Sequence, residues 1–128
     1  MTNKSRKIVL ENENCPIRNV LHRFGDKWSL LIIYKLSDDF LLTDDYKLRF
    51  NELHKEVGGI SQKMLTTTLR TLEADSLVLR KVYAEIPPKV EYSLTELGKS
   101  LVPLISDLSN WAFEHQSKIL KSRDNYKR

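Results

Sequence analysis

Residues 50–98 have the sequence FNELHKEVGGISQKMLTTTLRTLEADSLVLRKVYAEIPPKVEYSLTELG, and the fold is predicted mainly from these residues. In its first part Leu53 and Val57 lie about one helical turn apart. The Gly58-Gly59 pair then ends this helix, because glycine adopts the positive φ angles that other residues resist. A second helical pattern starts directly after the pair. The stretch therefore predicts two short helices joined by a tight turn.

The second helix has two faces of opposite character. Ser61 is its candidate N-cap, and Leu65, Leu69 and Leu72 form one apolar stripe. The opposite face is polar and basic, and it consists of Lys63, Thr66, Thr67 and Arg70. In a DNA major groove, Lys or Arg reaches guanine edges, Gln pairs with adenine, and a Thr methyl contacts a thymine methyl. The alternative is an ordinary amphipathic helix with a solvated outer side.

A β-hairpin is predicted directly after the second helix. Residues 79–84 and 90–94 have strand character, and residues 85–89, which include two prolines, join them. Arg80 and Lys81 give the first strand its charge. In the second strand the inward positions are Val90, Tyr92 and Leu94, and the outward positions are Lys89 and Glu91. A hairpin at this place is typical of the wing of a winged helix, whose cations reach phosphate or a minor groove.

Several motifs follow one another as they do in HxlR-type bacterial transcriptional regulators. They are FNEL at 50–53, ISQKML at 60–65, EIPPKVEY at 85–92 and SLTELG at 93–98, preceded by Cys15-Pro16 and by GDKW at 25–28. The similarity runs from about Cys15 to about Trp111, and several collinear motifs are far harder to obtain by chance than one. The resemblance implies a winged helix-turn-helix fold related to the MarR regulators, a homodimer, and binding to a palindromic operator. We therefore expect a mainly α fold with a small β-ribbon (α+β) and with dimerisation helices at both ends.

Length and composition agree with one small DNA-binding domain. A chain of 128 residues with 41% hydrophobic content suffices for one compact domain. The formal charge of +4 is compatible with nucleic acid, although it is weaker than the charge of a purely electrostatic binder. We expect a cytoplasmic protein, because no apolar run reaches the roughly 18 residues of a membrane span and the polar start lacks a secretory signal. A single cysteine, which cannot form an internal disulfide, also suits a reducing compartment.

Before residue 37 the sequence predicts an arm and two helices. Residues 1–14 are mostly polar, so we expect a flexible N-terminal arm. Helix one should run from Pro16 to Gly25, with Ile17, Val20, Leu21 and Phe24 at helical spacing. Asp26 is a candidate N-cap for the next helix. That helix has an apolar face assigned to the core, which consists of Trp28, Leu31, Ile32 and Leu36.

Residues 37–49, SDDFLLTDDYKLR, are an insertion relative to the family pattern. Apolar runs at 40–42 and 46–48 flank a polar turn, which predicts a hairpin. The alternative is an acidic surface loop. Four aspartates would repel phosphate, so the tip should point away from DNA.

A long amphipathic helix is predicted after the wing. Thr95 is its candidate N-cap, and Pro103 predicts a kink or a short break near Leu101. Residues 104–120 are longer than a small domain needs to close its core, so we expect this half to pair with a second subunit and with helix one. The alternative is packing within one chain. Residues 121–128 are expected to be a frayed tail, which leaves residues 15–120 as the DNA-binding domain with its dimerisation helices.

Residue patterns for an enzyme or a metal site are missing from the sequence. His22, His54 and His115 lie on separate predicted helices without metal-ligand spacing. Gly58-Gly59 lacks the context of a phosphate-binding loop. We therefore expect no enzyme, no metal and no cofactor.

Cys15 is the one residue with plausible reactivity. It should lie just before helix one, where the helix dipole favours the thiolate. Some HxlR-type regulators use a cysteine before the proline to sense oxidants or electrophiles, and the resemblance makes Cys15 a candidate redox switch. The alternative is an inert, partly buried small hydrophobe.

The leading hypothesis is a homodimeric, repressor-like protein that binds a palindromic operator in double-stranded DNA. Its candidate DNA-binding residues are Ser61, Gln62, Lys63, Thr66, Thr67 and Arg70 on the helix and Arg80, Lys81 and Lys89 on the wing. One alternative is a winged-helix module for protein–protein interaction. Another is control by a small molecule or electrophile in the dimer cleft. The stretch departs from the family at Ser76, where a glycine is common, so Ser76 is expected to adopt a left-handed conformation.

Overall fold

The computed structural model describes residues 15–37 and 46–126, which fold around one short helix-turn-helix and a three-stranded sheet. The elements in chain order are α1 (Pro16–Asn19), a 3-10 helix (Leu21–Phe24), α2 (Ser29–Lys35), β1 (Leu48–Arg49), α3 (Phe50–Val57), α4 (Gln62–Ala74), β2 (Val78–Tyr83), β3 (Lys89–Leu94) and α5 (Glu96–Asn125). The predicted mainly helical fold with a small β-ribbon is confirmed.

The sheet is antiparallel, and its strand order is β1-β3-β2. In the hairpin, Val78 pairs with Leu94 and Tyr83 pairs with Lys89. On the other side of β3, Leu48 pairs with Tyr92. The strand before α3 therefore joins the wing to the helix-turn-helix. The predicted hairpin at 40–48 lies largely outside the described residues, because the structure describes only residues 46–48 of it.

One apolar core holds the helices against the inner face of the sheet. The helices contribute Ile32, Ile33, Leu36, Leu53, Val57, Leu65, Leu69, Leu72, Val102 and Ile105, and the sheet contributes Leu48, Val78, Tyr92 and Leu94. Trp28 and Leu31, predicted as core, are only partly buried beside this cluster. Ile33 is fully buried although the predicted stripe of α2 omitted it, because α2 is covered on more than one side.

The prediction of one continuous helix from Pro16 to Gly25 is wrong. The chain forms α1, leaves the helical path at Val20, whose φ is −119°, and continues as the 3-10 helix. Ile17, Val20 and Leu21 remain about half exposed. Short helices are marginal unless an apolar face is packed. The apolar spacing was read correctly, but among the described residues these side chains are covered only in part.

The long C-terminal helix also differs from expectation. α5 continues through Pro103 without a break, and it extends to Asn125 into the region that was expected to fray. Val102 and Ile105 are buried on either side of the proline, so packing holds both flanks of the missing hydrogen bond in place. Among the helices of the described ranges, none has both the length and the apolar character needed to cross a membrane.

Candidate nucleic-acid interface

The turn between α3 and α4 is built by glycine backbone and by two side chains. Gly58 and Gly59 have φ angles of 69° and 74°, as predicted. The Ser61 hydroxyl accepts a hydrogen bond from the Met64 amide at 3.0 Å, which confirms Ser61 as the N-cap of α4. The ring Nε2 of His54 lies 2.7 Å from the carbonyl oxygen of Ile60 and so ties α3 to the turn. No role was predicted for His54, because only the folded turn brings this carbonyl to it.

α4 presents a polar and basic face to solvent. Leu65, Leu69 and Leu72 are buried, as the predicted stripe requires. The exposed residues are Ser61, Gln62, Lys63, Met64, Thr67, Arg70, Glu73 and Ala74, and Thr66 is half buried. Met64 was missed as part of this face, since its apolar character alone favoured a core position. Gln62, Lys63 and Arg70 carry hydrogen-bonding or basic groups, and Glu73 adds one acidic group near the end of the helix.

The threonines of α4 use their hydroxyl protons inside the helix. Thr66 donates to the Gln62 carbonyl at 2.9 Å, and Thr67 donates to the Lys63 carbonyl at 3.0 Å. Thr71 makes the same contact with the Thr67 carbonyl at 3.2 Å. Back-bonding of this kind fixes the side-chain rotamer. The hydroxyl protons of Thr66 and Thr67 are therefore used within the helix, whereas Gln62, Lys63 and Arg70 present polar side chains on the exposed surface.

The wing separates its cations onto two faces. Arg80 pairs with the buried Tyr92, so it shares the side of the sheet that faces the core, although its own side chain is exposed. Lys81 pairs with Glu91 on the outer side. Arg80 and Lys81 were treated as one basic pair, but the alternation of side chains along a strand places them on opposite faces.

The outer face of the wing is an ionic and aromatic cluster. The Lys81 and Lys89 ammonium groups lie 5.0 and 4.7 Å from the centre of the Tyr83 ring. Lys89 is also 3.9 Å from Glu91. The Tyr83 hydroxyl, followed by nearby cations such as Lys89, holds the pKa of Glu91 below its usual value. Lys89 is on the predicted side of the strand, but these contacts leave it half buried.

The tip of the wing carries Ile86, whose side chain is fully exposed.

Cys15, the first residue that the structure describes, is 2% exposed and lies directly before the four residues of α1. Its sulfur is therefore shielded within one chain. In the described ranges, no three His, Cys, Asp or Glu side chains come together as metal ligands would.

A helix pair with a capped second helix, followed at once by a β-hairpin, defines a winged helix-turn-helix protein. The chain belongs to the HxlR-like helix-turn-helix family, whose sequence model matches residues 23–119. It is 38% identical over 122 residues to the HTH-type transcriptional regulator YybR of Bacillus subtilis, which covers 95% of this chain and 92% of YybR.

Solved structures of similar proteins agree with this assignment. The transcriptional regulator ytfH from Salmonella typhimurium superimposes with a TM-score of 0.72 at 35% identity and covers 91% of this chain and 97% of its own. The redox regulator HypR in its reduced form gives a TM-score of 0.70 at 40% identity, covering 84% of this chain and 98% of its own. Its oxidised form gives 0.66 at 42% identity, covering 78% and 96%. The protein is a transcriptional regulator with a helix-turn-helix fold.

Proposed function

We propose that this protein is a sequence-specific, repressor-like DNA-binding regulator that acts as a homodimer on a palindromic operator in the cytoplasm. The observation that carries the proposal is the solvent-facing side of α4, where base-reading and phosphate-binding groups lie opposite a fully buried leucine stripe. A helix with this arrangement in a helix-turn-helix enters the major groove. Two copies related by a two-fold axis read two half-sites about 34 Å apart, one DNA turn.

Each group on this surface has a distinct proposed role. Arg70 and Lys63 donate to guanine edges or phosphate, Gln62 pairs with adenine, and the Thr66 and Thr67 methyls contact thymine. The Ser61 hydroxyl already caps the helix, so its contribution is to orient the first turn. Arg80, Lys81 and Lys89 hold the flanking backbone from the wing.

The homodimer is supported by exposed apolar side chains on α5. Leu104, Leu108 and Trp111 recur at helical spacing, and each is more than half exposed. Contiguous apolar surface of this kind marks an interaction site. α5 would therefore pair with a second copy, together with the half-exposed Ile17, Val20 and Leu21 of residues 16–24.

Selection of bound sequences from a random duplex pool tests the proposal. We expect a palindromic consensus for the wild type. Arg70→Ala should relax the preference at one position of each half-site, at a cost of roughly 1–3 kcal/mol per good base contact. Lys81→Ala should weaken all duplexes alike and lower the salt slope by about one. Lys118→Ala, on the far part of α5, serves as a control for loss of charge. The proposal fails if no duplex is enriched at moderate salt, and co-purification of a protein partner would then favour an interaction module.

A second proposed property is control by oxidation of Cys15. The support comes from HypR, a redox regulator solved in reduced and oxidised forms, to which this chain is 40% and 42% identical. The buried position of Cys15 implies that the segment around α1 must open before an oxidant reaches the sulfur. Treatment with diamide should lower operator affinity in the wild type and leave Cys15→Ser unchanged. An equal loss in both proteins, or no loss in either, would refute thiol control.

A further inference from the structure

A long-range ion pair joins the first helical segment to the end of α4. Arg23 Nε lies 3.1 Å from Asp75 Oδ2, and Arg23 Nη2 lies 3.3 Å from Asp75 Oδ1. Two parallel contacts of this kind fix the guanidinium relative to the carboxylate in direction as well as in distance. The side chains are 42% and 28% exposed, so the pair stays open to water and contributes little to folding. The ion pair is therefore more important for the relative position of the two segments than for the free energy of folding.

On the α4 side, the ion pair is attached to a rigid point. Asp75 is the C-cap of α4, and its amide donates to the Thr71 carbonyl at 3.1 Å. Beyond it, the Leu77 amide donates to the Leu72 carbonyl at 3.0 Å, and the Ser76 carbonyl accepts from the Thr95 hydroxyl at 2.6 Å. Asp75 cannot move without the last turn of α4. A displacement of Arg23 is consequently passed to the helix and is not absorbed by a loop.

On the other side, the segment that carries Arg23 is only partly packed, because Phe24 lies against the core whereas Val20 and Leu21 are half exposed. A cavity of about 370 Å³ lies beneath it, and Arg23 and Asp75 are both on its wall. Val20, Leu21 and Leu97 line the same cavity and are half exposed. Because apolar contacts hold this segment only in part, the ion pair between Arg23 and Asp75 helps to set the position of the segment relative to α4.

We propose that Arg23 and Asp75 are positioning residues for DNA binding, which hold α4 at the angle that the operator requires. This inference rests on the proposed DNA-binding function and adds to it a residue pair outside the reading face. The pair links residues 16–24, which follow Cys15 and carry the half-exposed Ile17, Val20 and Leu21, to the helix proposed to read the bases. Neither residue needs to contact DNA for this role.

The sign of the effect at Asp75 separates positioning from simple electrostatics. Asp75→Ala removes a negative charge, so a direct electrostatic effect would strengthen DNA binding. Positioning predicts the opposite, because the link to the first segment is lost. We expect Arg23→Ala and Asp75→Ala each to weaken operator affinity by about three- to tenfold, the range that a partly exposed ion pair allows. The salt slope should stay that of the wild type in both.

The experiment measures operator affinity against salt for the wild type, both single variants and the double charge reversal Arg23→Asp with Asp75→Arg. The reversal should recover most of the affinity. Glu96→Gln is the matched control, because it breaks the ion pair between Glu96 and Lys99, which lies within one helix. Tighter binding by Asp75→Ala, or a salt slope reduced by about one in Arg23→Ala, would overturn the proposal.

Hydrogen exchange measured without DNA tests the coupling between the two segments independently of the proposed DNA binding. In both single variants, amides of residues 16–24 and of the last turn of α4 should exchange faster than in the wild type, whereas those of α3 should not change. If the wild type binds no duplex, the proposed function fails while exchange still decides whether the ion pair couples the two segments. Unchanged exchange in both variants would refute the coupling itself.

Discussion

At the scale of single residues, Ser76 adopts the left-handed conformation that commonly ends a helix. It has a φ of 61°, and it follows α4 at the place where helices commonly end in a left-handed glycine. The Leu77 amide donates to the Leu72 carbonyl and the Ser76 amide to the Glu73 carbonyl, both at 3.0 Å. This is the hydrogen-bond pattern of a Schellman motif, formed here with serine in the glycine position.

Replacing Ser76 with glycine should stabilise the protein. A left-handed conformation costs a residue with a Cβ roughly 1–2 kcal/mol, and part of this gain is lost because glycine makes the unfolded chain more flexible. We expect Ser76→Gly to raise the free energy of unfolding by about 1 kcal/mol in urea titrations. Ser76→Ala, which keeps the strain, should stay within about 0.5 kcal/mol of the wild type. A glycine variant no more stable than the alanine variant would contradict the strain.

Residues whose conformation depends on near neighbours in the sequence were predicted correctly. The Ser61 and Thr95 caps, the Gly58-Gly59 turn and the conformation of Ser76 depend on neighbours within a few positions, and each was found as expected. The partners of His54 and of Arg23 could not be predicted. A hydrogen bond to a turn carbonyl, or an ion pair across 52 positions, leaves no periodic pattern in a sequence.

At the scale of elements, the start of α2 depends on one carboxylate. Asp26 Oδ1 accepts hydrogen bonds from the amides of Trp28 and Ser29, both at 2.6 Å, and Oδ2 accepts from the Ser29 hydroxyl at 2.5 Å. Asp26 was predicted to cap this helix, and it does so from two positions before the N-cap, Trp28. Partial burial raises the pKa of Asp26, but the bonds from Ser29 and Trp28 outweigh burial and lower it below its ordinary 3.8.

This lowered pKa fixes the pH range in which the cap acts. A carboxyl whose folded pKa is depressed contributes stability above its unfolded value, and this contribution is lost as the pH falls through the folded value. We expect Asp26→Ala to reduce the free energy of unfolding by about 1 kcal/mol at neutral pH. The difference should shrink as the pH falls below 3.8, the ordinary value. Denaturant titrations at several pH values measure it.

Asp26→Asn is the matched control, because an amide oxygen still accepts backbone hydrogen bonds but does not titrate in this range. It should keep most of the stability at neutral pH and make the stability less dependent on acid. If Asp26→Ala and the wild type lost stability in parallel down to low pH, the carboxylate would not be the titrating group.

Element lengths were predicted less well than element types. The extent of α1 was overestimated and that of α5 was underestimated. Helical spacing of apolar residues does not reveal whether a partner surface exists in the same chain. Val102 and Ile105 are buried, and between them α5 continues through Pro103.

At the scale of the whole molecule, the described residues leave several large apolar side chains of α5 exposed. Leu104 is 63% exposed and Phe113 is 82% exposed, although both lie on a helix whose start belongs to the core. Trp111 stacks on His115 with ring centres 4.9 Å apart and is still half exposed. The proposed second copy would cover these side chains.

A charge placed on the apolar stripe should therefore separate the proposed dimer. We expect Leu108→Glu to weaken self-association by about 30-fold or more, which corresponds to roughly 2 kcal/mol for a central interface residue. Ser117→Glu places the same charge on the polar side of the same helix and should leave association nearly unchanged. Sedimentation over a range of concentrations measures both. A wild type that sediments as a monomer at all concentrations would contradict the dimer.

The unbroken course of α5 sets the direction in which its distal apolar side chains point relative to the rest of the fold. A helix advances about 1.5 Å and turns about 100° for every residue, so the 30 residues of α5 span roughly 45 Å as one rod. One residue inserted between Ile105 and Trp111 would rotate the distal stripe by about 100° relative to the DNA-reading half. Seven inserted residues would nearly restore the direction but would shift the stripe by about 10.5 Å. In a dimer built on this rod, the half-site spacing is set by the count of residues along α5 and not by any side chain that reaches a base.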